Sequence, residues 1–133
     1  MYKKMLFLLL LLSGCPGSPL QLAHMNSSQL TSVTDEQLLY ALTSQTKPRE
    51  LMIDEAQRRG WLTDGEIETV KRKNLRIGMS ERALLISWGY PSNINRTVGS
   101  FGVHKQYVYG TYSGYSSPTY VYVENGKVTT WQD

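Results

Sequence analysis

Residues 119–132, TYVYVENGKVTTWQ, determine the fold of the C-terminal half of the chain. Their centre, Asn125-Gly126, is typical of a two-residue type I′ turn, in which both central residues adopt φ > 0. β-branched and aromatic residues, which favour strands, flank this turn on both sides. The stretch therefore predicts a β-hairpin whose strands are Thr119–Glu124 and Lys127–Gln132.

The turn also predicts which residues of the hairpin face each other. Counting outward from it places Val123 opposite Val128 and Tyr120 opposite Trp131. Because successive side chains of a strand point to opposite faces, we expect valines on one face and aromatic residues on the other. If the preceding strand aligns in the same way, Val108 joins the valine face. The aromatic face then carries Tyr107, Tyr109, Tyr120, Tyr122 and Trp131.

Two interpretations of the aromatic face remain open. Either the N-terminal helices cover the rings, which are then part of the core, or the rings are exposed and belong to the residue types enriched at binding hot spots. The loop at residues 110–118, GTYSGYSSP, favours binding, because Tyr, Ser and Gly are typical of recognition loops. We therefore expect Tyr112 and Tyr115 to contact a protein partner together with the five aromatic residues of the sheet.

The residues before the hairpin complete the predicted sheet. Two further strand-like runs, residues 93–98 and 103–109, are separated by the turn Gly99-Ser100-Phe101-Gly102. A helix precedes them; Ser80 caps its start, and Trp88-Gly89-Tyr90-Pro91 ends it, since Gly favours the C-terminal cap and Pro blocks extension. Residues 75–133 are thus predicted to form a helix packed on a four-stranded antiparallel meander.

Residues 34–74 carry the start and stop signals of short helices. Residues 34–37, TDEQ, and 63–66, TDGE, both fit a capping box. Pro48 is suited to the first turn of another helix, which Gly60 ends with a left-handed residue. The predicted fold class is therefore α+β, with short N-terminal helices followed by the helix and the meander.

The first 33 residues have the pattern of an export signal followed by a spacer. Residues 1–14 contain Lys3 and Lys4, then an apolar run too short to span a bilayer, then small residues. Leu12-Ser13-Gly14-Cys15 resembles the bacterial lipoprotein box, which implies cleavage before Cys15 and covalent lipid, palmitate included, on that residue. Residues 15–33 show no sustained hydrophobic period, and they predict a flexible tether between the membrane and the folded part.

Four motifs together resemble the SmpA/OmlA (BamE-like) family of small outer-membrane lipoproteins. They are the IGMS helix start at residues 77–80, the WGYP stop at 88–91, the aromatic strand QYVY at 106–109 and the hairpin ENGKV at 124–128. The same pattern is similar to the repeat fold of β-lactamase inhibitory proteins. The resemblance covers residues 75–133, and it implies an α+β fold and a location in the cell outer membrane, facing the periplasm.

Composition and motifs argue against several classes of function. The net charge of +3 includes Lys3 and Lys4 of the signal, so the remainder is nearly neutral and does not indicate a nucleic-acid partner. The sequence lacks G-x-S-x-G, H-E-x-x-H, P-loop and dinucleotide-binding patterns. Its single cysteine, Cys15, is assigned to lipid, and no ligand spacing predicts a metal site. We expect a protein that is not an enzyme and that has no metal and no cofactor other than the covalent lipid.

Two hypotheses of function follow from these patterns. The first is a lipid-anchored periplasmic protein-binding module, a small scaffold or accessory subunit of an outer-membrane complex. The second is an inhibitor or exclusion lipoprotein, phage- or plasmid-borne, that blocks an enzyme or receptor through its aromatic sheet face. Residue 16 is Pro rather than the Asp of an inner-membrane retention signal, so both hypotheses place the anchor in the outer membrane.

Overall fold

The computed structural model describes residues 18–44, 50–110 and 117–133. Helices come first along the chain, and an antiparallel sheet follows, which confirms the α+β class. The helices are α1 (Pro19–Leu22), α2 (Ser27–Leu30), α3 (Asp35–Ser44), α4 (Glu50–Arg58), α5 (Asp64–Lys71) and α6 (Glu81–Trp88). The strands, in the order β1-β2-β3-β4 across the sheet, are β1 (Asn93–Gly99), β2 (Gly102–Tyr109), β3 (Thr119–Glu124) and β4 (Lys127–Gln132).

The helix boundaries follow from capping residues, as the sequence predicts. Gln37 and Thr34 exchange side-chain-to-backbone hydrogen bonds at the start of α3. Ser80 Oγ accepts a 3.1 Å bond from the backbone N–H of Ala83 at the start of α6. Gly60 and Gly89 follow α4 and α6 with φ of 73° and 79°, a conformation that glycine adopts without steric cost. Pro48 lies outside the described residues.

The prediction of a flexible tether is wrong for residues 18–33. Ser18 and Asn26 cap the short helices α1 and α2. Leu22 and Leu30 on these helices are fully buried, and Val33 is nearly so. These apolar residues are spaced too irregularly to produce a helical period, yet each fills a position in the same core as α3 and α4. Residues 1–17, including Cys15, lie outside the described residues, as do 45–49 and 111–116.

The sheet is a meander whose two edges differ. At the outer side of β4, the backbone of Gly78 and Met79 exchanges hydrogen bonds of 2.7 and 2.9 Å with Val128. Glu81 N–H adds a 2.9 Å bond to the carbonyl of Gly126. At the other edge, no described segment pairs with the outer side of β1. The chain that leads into α6 therefore covers part of one edge and leaves the other uncovered.

The hairpin turn is confirmed, but the predicted register holds only next to it. Asn125 and Gly126 have φ of 48° and 81°, as a type I′ turn requires, and Val123 faces Val128. A bulge then leaves Thr129 as an extra residue of β4. Beyond it Tyr122 faces Thr130, and Val121 faces Trp131. Since one extra residue reverses the alternation, the bulge moves Trp131 to the face of the valines.

The predicted alignment of β2 is also wrong. Tyr107 lies opposite Val121, and Val108 lies opposite Tyr120, so Tyr107 and Tyr109 share the face of the valines. Residues 110–118 connect these two strands, and a connection of that length does not fix a register. The five aromatic residues of the predicted face therefore divide between the two faces of the sheet.

One hydrophobic core joins the helices to the sheet. It extends from Leu22 in α1 through Met52 in α4 and Leu84 in α6 to Val121 and Val128 in the hairpin. α6 lies between the other helices and the sheet, because it contacts α3 and α5 as well as β4. None of the helices in the described ranges is both long and apolar enough to cross a bilayer.

Candidate protein-interaction surface

The face of the sheet towards α6 is closed over β2 and β3 by specific contacts. Tyr107 is buried, and its hydroxyl donates a hydrogen bond to Glu81, which also accepts a 2.6 Å bond from Lys105 Nζ. Tyr109 packs edge-on against Trp88 at 5.2 Å and donates a 3.1 Å bond to the carbonyl of Gly89. Burial raises the pKa of both tyrosines well above the usual range, with Glu81 adding to the shift at Tyr107. These two rings therefore hold α6 on the sheet.

Glu66 joins α5 to α6. Its buried carboxylate accepts bonds from Thr63 N–H at 2.9 Å and Thr63 Oγ1 at 3.0 Å, and its other oxygen accepts a 2.6 Å bond from Ser80 N–H. Burial alone would raise the pKa of Glu66, but these hydrogen bonds outweigh it, and the pKa is lowered. Every hydrogen bond that Glu66 accepts from the described residues comes from Thr63 or Ser80, the residues that begin α5 and α6. The role of this carboxylate is therefore structural.

Glu55 is the second buried carboxylate in the described part of the chain, and it also has a structural role. Arg58 and Arg59 donate hydrogen bonds of 2.6–2.7 Å to it, and they lower its pKa to about 2, with Arg58 making the larger contribution. Arg59 also donates to the carbonyls of Leu30 and Val33 at 3.0 and 2.8 Å. The network therefore attaches the segment after α2 to α4.

The opposite face of the sheet, which we call the open face, is lined mostly by polar side chains. Asn95 Nδ2 donates to Gln106 Oε1 at 2.9 Å, and Gln106 Nε2 donates to the hydroxyl of Tyr122 at 3.1 Å. His104 Nδ1 lies 3.2 Å from Glu124 Oε1. None of the described helices packs on this face. Its members are Asn93, Asn95, Thr97, His104, Gln106, Val108, Tyr120, Tyr122, Glu124, Thr130 and Gln132.

The outer strand of this sheet, β1, is the most exposed element of the fold. All of its residues are exposed, including Ile94 at 44% and Val98 at 58%. Phe101, at the turn after β1, is 59% exposed and stacks edge-on against His104 at 4.6 Å. Large apolar side chains are therefore exposed along the β1 edge of the sheet and at the turn that follows it, as is common at interaction sites.

A groove runs along the α6 side of β1 and β2. Val103 and Val123 provide its apolar part, and Arg96, Lys105 and Glu81 provide its charges. Lys105 is paired with Glu81, whereas Arg96 makes no hydrogen bond or ion pair with any described residue. The groove thus combines apolar surface with one uncompensated positive charge.

The structure separates the predicted partner-binding residues into three groups. Tyr107 and Tyr109 face α6 and are closed off, whereas Tyr120 and Tyr122 are half-buried on the open face. Trp131, on the α6 side of β4, is 39% exposed. The remaining predicted residues, Tyr112 and Tyr115 in the loop and Cys15 at the lipid site, lie outside the described residues.

Sequence reasoning missed Ile94, Arg96, Val98 and Phe101. A signal was available, because the first strand of a meander lies at an edge and has only one neighbouring strand. In β1 the residues Ile94, Arg96 and Val98 alternate with Asn93, Asn95 and Thr97, so one side chain face is apolar with a central charge. The pattern of β1 is weaker than that of the aromatic hairpin, which alone was used to predict the binding face.

The ionisable groups of the described residues do not form a cluster suited to metal binding. Within the ranges 18–44, 50–110 and 117–133, no group of three or more His, Cys, Asp or Glu side chains is positioned to hold an ion. In the same ranges, every buried side-chain nitrogen and oxygen has a hydrogen-bond partner. The carboxylates most strongly affected by burial, Glu55 and Glu66, are saturated by arginine, hydroxyl and backbone donors.

Comparison of the chain with protein-family models, with curated proteins and with solved structures found no match.

Proposed function

We propose that this protein is a lipid-anchored periplasmic module that binds a protein partner, as a small scaffold or accessory subunit of an outer-membrane complex. The observation that carries the proposal is the exposure of the open face and of the edge strand β1. Apart from buried Val108, the side chains of the open face and of β1 are exposed or half-buried, and none of the helices in the described ranges packs on them. A domain of this size gains stability by covering such surface, so its exposure favours a binding role.

The chemistry of this surface suits protein recognition. The open face offers amide groups from Asn95 and Gln106 and the amphipathic rings of Tyr120 and Tyr122. Exposed Phe101, which contacts His104 of the open face, supplies apolar contact area beside them, and exposed Val98 supplies more on the α6 side of β1. Protein interfaces combine an apolar centre with a polar rim and roughly one hydrogen bond per 100–200 Å². The surface has both components side by side.

The short distance between Cys15 and the folded domain favours a membrane-bound partner. Only Pro16 and Gly17 separate Cys15 from Ser18, the cap of α1. Three residues span at most about 10 Å when fully extended. A lipid on Cys15 therefore holds the folded domain at the membrane surface, within reach of proteins in the same membrane. This proximity supports the scaffold over an inhibitor of a soluble enzyme.

Replacement of the cysteine tests the anchor. In Cys15→Ser, we expect the protein to lose incorporation of a labelled palmitate analogue and to leave the membrane fraction. Ser18→Ala, three residues further along, serves as the control and retains both properties. If Cys15→Ser still fractionates with membranes as a correctly cleaved protein, the lipoprotein proposal is wrong.

Site-specific photo-crosslinking in cells tests the binding surface. A photoreactive residue at Tyr122 or Val98 is expected to give a discrete adduct with an envelope protein. The same residue at Glu68, which is 67% exposed on α5, is the control and is expected to give none. Equal adducts at all three positions, or none at any, contradict the proposal. An adduct with a soluble enzyme instead favours the inhibitor.

A further inference from the structure

The backbone of β1 presents hydrogen-bonding groups at its outer edge that no described segment pairs with. Val103 in β2 faces β3, because its carbonyl accepts a 2.9 Å bond from Asn125 N–H and its own N–H donates to Asn125 Oδ1. Backbone groups of successive strand residues point alternately to the two neighbours. Val98, the partner of Val103, therefore directs its N–H and C=O away from the sheet.

The same alternation identifies the remaining groups at this edge. Arg96 pairs with Lys105, and Ile94 pairs with Tyr107, and each lies an even number of residues from Val98. Ile94, Arg96 and Val98 thus carry both the outward backbone groups and the side chains on the α6 side. An incoming strand that bonds to these groups would place its own side chains beside this apolar, positively charged row.

β1 lacks proline and a bulge, two of the features that usually protect an exposed edge, and Arg96 is its one charged residue. Natural edge strands are blocked by proline, by bulges, by inward-pointing charges or by covering segments. β1, with the sequence NINRTVG, contains no proline, and its register with β2 runs without interruption. The β4 edge is covered at Val128 by Gly78 and Met79. One edge of the sheet is therefore partly covered, and no described segment covers the other.

The charge on β1 indicates which strand it would accept. Arg96 lies directly opposite Lys105, and Glu81 neutralises Lys105 only. A carboxylate on the far side of β1 would compensate Arg96, since opposite charges that face each other across a strand pair are stabilising. Ile94 and Val98, two residues away on either side, favour apolar neighbours for the same reason.

We propose that the free edge of β1 adds an extended strand of the partner protein, with an acidic residue opposite Arg96 and apolar residues two positions away on each side. The inference rests on the proposed function and specifies its mode of binding, which is β-strand addition. A second copy of this chain is disfavoured as the occupant. Antiparallel pairing centred on β1 would set Arg96 opposite its own equivalent, and like charges in that position are destabilising.

Two palindromic peptides provide the probe. Each is acetylated and amidated; one has the sequence TVTETVT and the other TVTKTVT, so strand direction does not affect the pattern. The isotope-labelled full chain in detergent micelles is titrated with each peptide, and backbone amide shifts are measured by nuclear magnetic resonance. We expect shifts at Ile94, Arg96 and Val98, and binding of the glutamate peptide that is about two- to fivefold tighter than that of the lysine peptide.

Variants at Arg96 separate the contribution of backbone hydrogen bonds to peptide binding from that of charge. Arg96→Glu is expected to reverse the preference, so that the lysine peptide binds more tightly. Arg96→Pro removes one outward N–H without removing a bond to β2, and it is expected to weaken both peptides at least tenfold. If the proline variant fails to fold, the charge reversal alone decides. Arg72→Glu, at the exposed residue that follows α5, is the matched control and leaves both affinities unchanged.

Several results would overturn the inference. Equal affinity for the two peptides excludes an acidic partner residue opposite Arg96, whereas no binding of either peptide, or shifts centred on Tyr120 and Tyr122, excludes strand addition at β1. Shifts at β1 that depend on protein concentration without peptide would assign the edge to a second copy. Persistence of the crosslink from Tyr122 in Arg96→Pro would separate the two proposals, because the protein then binds its partner by another surface.

Discussion

The junction of α5 with α6 and the β1 end of the sheet use polar groups in opposite ways. At the junction, Glu66 is buried, and its oxygens bond to the starts of two helices. At β1, the side chain of Arg96 is exposed and makes no hydrogen bond or ion pair with any described residue. The capping box predicts the bond of Glu66 to Thr63, but the sequence does not show that Glu66 is buried or that it bonds to Ser80. The structural surroundings thus give Glu66 a second role inside the fold and leave Arg96 accessible to the proposed partner.

The difference has an energetic reason. A buried charge is tolerated only where hydrogen bonds and opposite charges satisfy it, so every such group in the described residues is committed to the fold. An exposed charge costs little and contributes little to stability, so it can be kept for binding. Substitutions of buried residues should therefore change stability, and substitutions of exposed residues on β1 should change binding.

The largest effect is expected in the packed region, at Leu22. Leu22→Ala removes a fully buried side chain and is expected to lower the free energy of unfolding by about 3 kcal/mol. Leu20→Ala, in the same short helix but 74% exposed, is the control and should change it by less than about 0.5 kcal/mol. Urea unfolding measures both. Equal effects would mean that residues 18–33 form a tether after all.

The next largest effect is expected at the junction itself. Glu66→Ala leaves the N–H groups of Thr63 and Ser80 without their acceptor, and the expected loss is about 2 kcal/mol. Glu68→Ala, two residues along α5 and exposed, should be nearly neutral. A Glu66→Ala variant with the denaturation midpoint of the unmodified protein would show that α5 and α6 are not joined by this carboxylate.

At the hairpin turn, we expect the effect of a substitution to depend on backbone conformation rather than on the space available for a side chain. A Cβ at Gly126 would meet no atom within 4 Å, so the cost of Gly126→Val comes from its φ of 81°. We expect a loss of about 1–2 kcal/mol, the cost of holding a β-branched residue in a strained conformation. Gly126→Asn, which tolerates positive φ, should lose clearly less. Calorimetric melts of the two variants check this order.

The buried ion pair at α4 predicts an acid dependence. The ordinary pKa of a Glu side chain is 4.5, and the folded chain lowers that of Glu55 to about 2. The hydrogen bonds from Arg58 are the main cause. The folded state therefore gains stability from this group above pH 4.5 and loses it as the pH falls from 4.5 to 2. In Glu55→Gln the decline over that window should be shallower. Parallel declines in the two proteins would exclude Glu55 as a source of acid sensitivity.

The smallest effect on stability is expected at the sheet surface. Trp131→Ala should lower the free energy of unfolding by less than about 1 kcal/mol, because the ring is partly exposed at the end of β4. Tyr107→Ala, which removes a buried ring bonded to Glu81, is the contrasting control and should be severely destabilising. A Trp131→Ala variant that unfolds as readily as Tyr107→Ala would place this ring in the core.

Apart from α1 and α2, the sequence alone determined the elements of the fold, because their ends depend on local chemistry. Ser80 begins α6 and Gly89 ends it, and Asn125-Gly126 forms the predicted turn. The four strands also lie within a residue of their predicted positions. Caps and tight turns involve residues within four positions of each other, so sequence patterns contain the necessary information.

The tertiary structure alone decided which faces are used. The bulge at Thr129 and the alignment of Tyr107 with Val121 reversed the predicted faces, since a shift of one residue sends every following side chain to the other side. The burial of Leu22 and the exposure of Val98 depend likewise on where distant helices pack. Those contacts join residues far apart in the chain. The positions of individual apolar residues do not specify which of them meet, so the proposed interaction surface forms only when the helices and the sheet pack together.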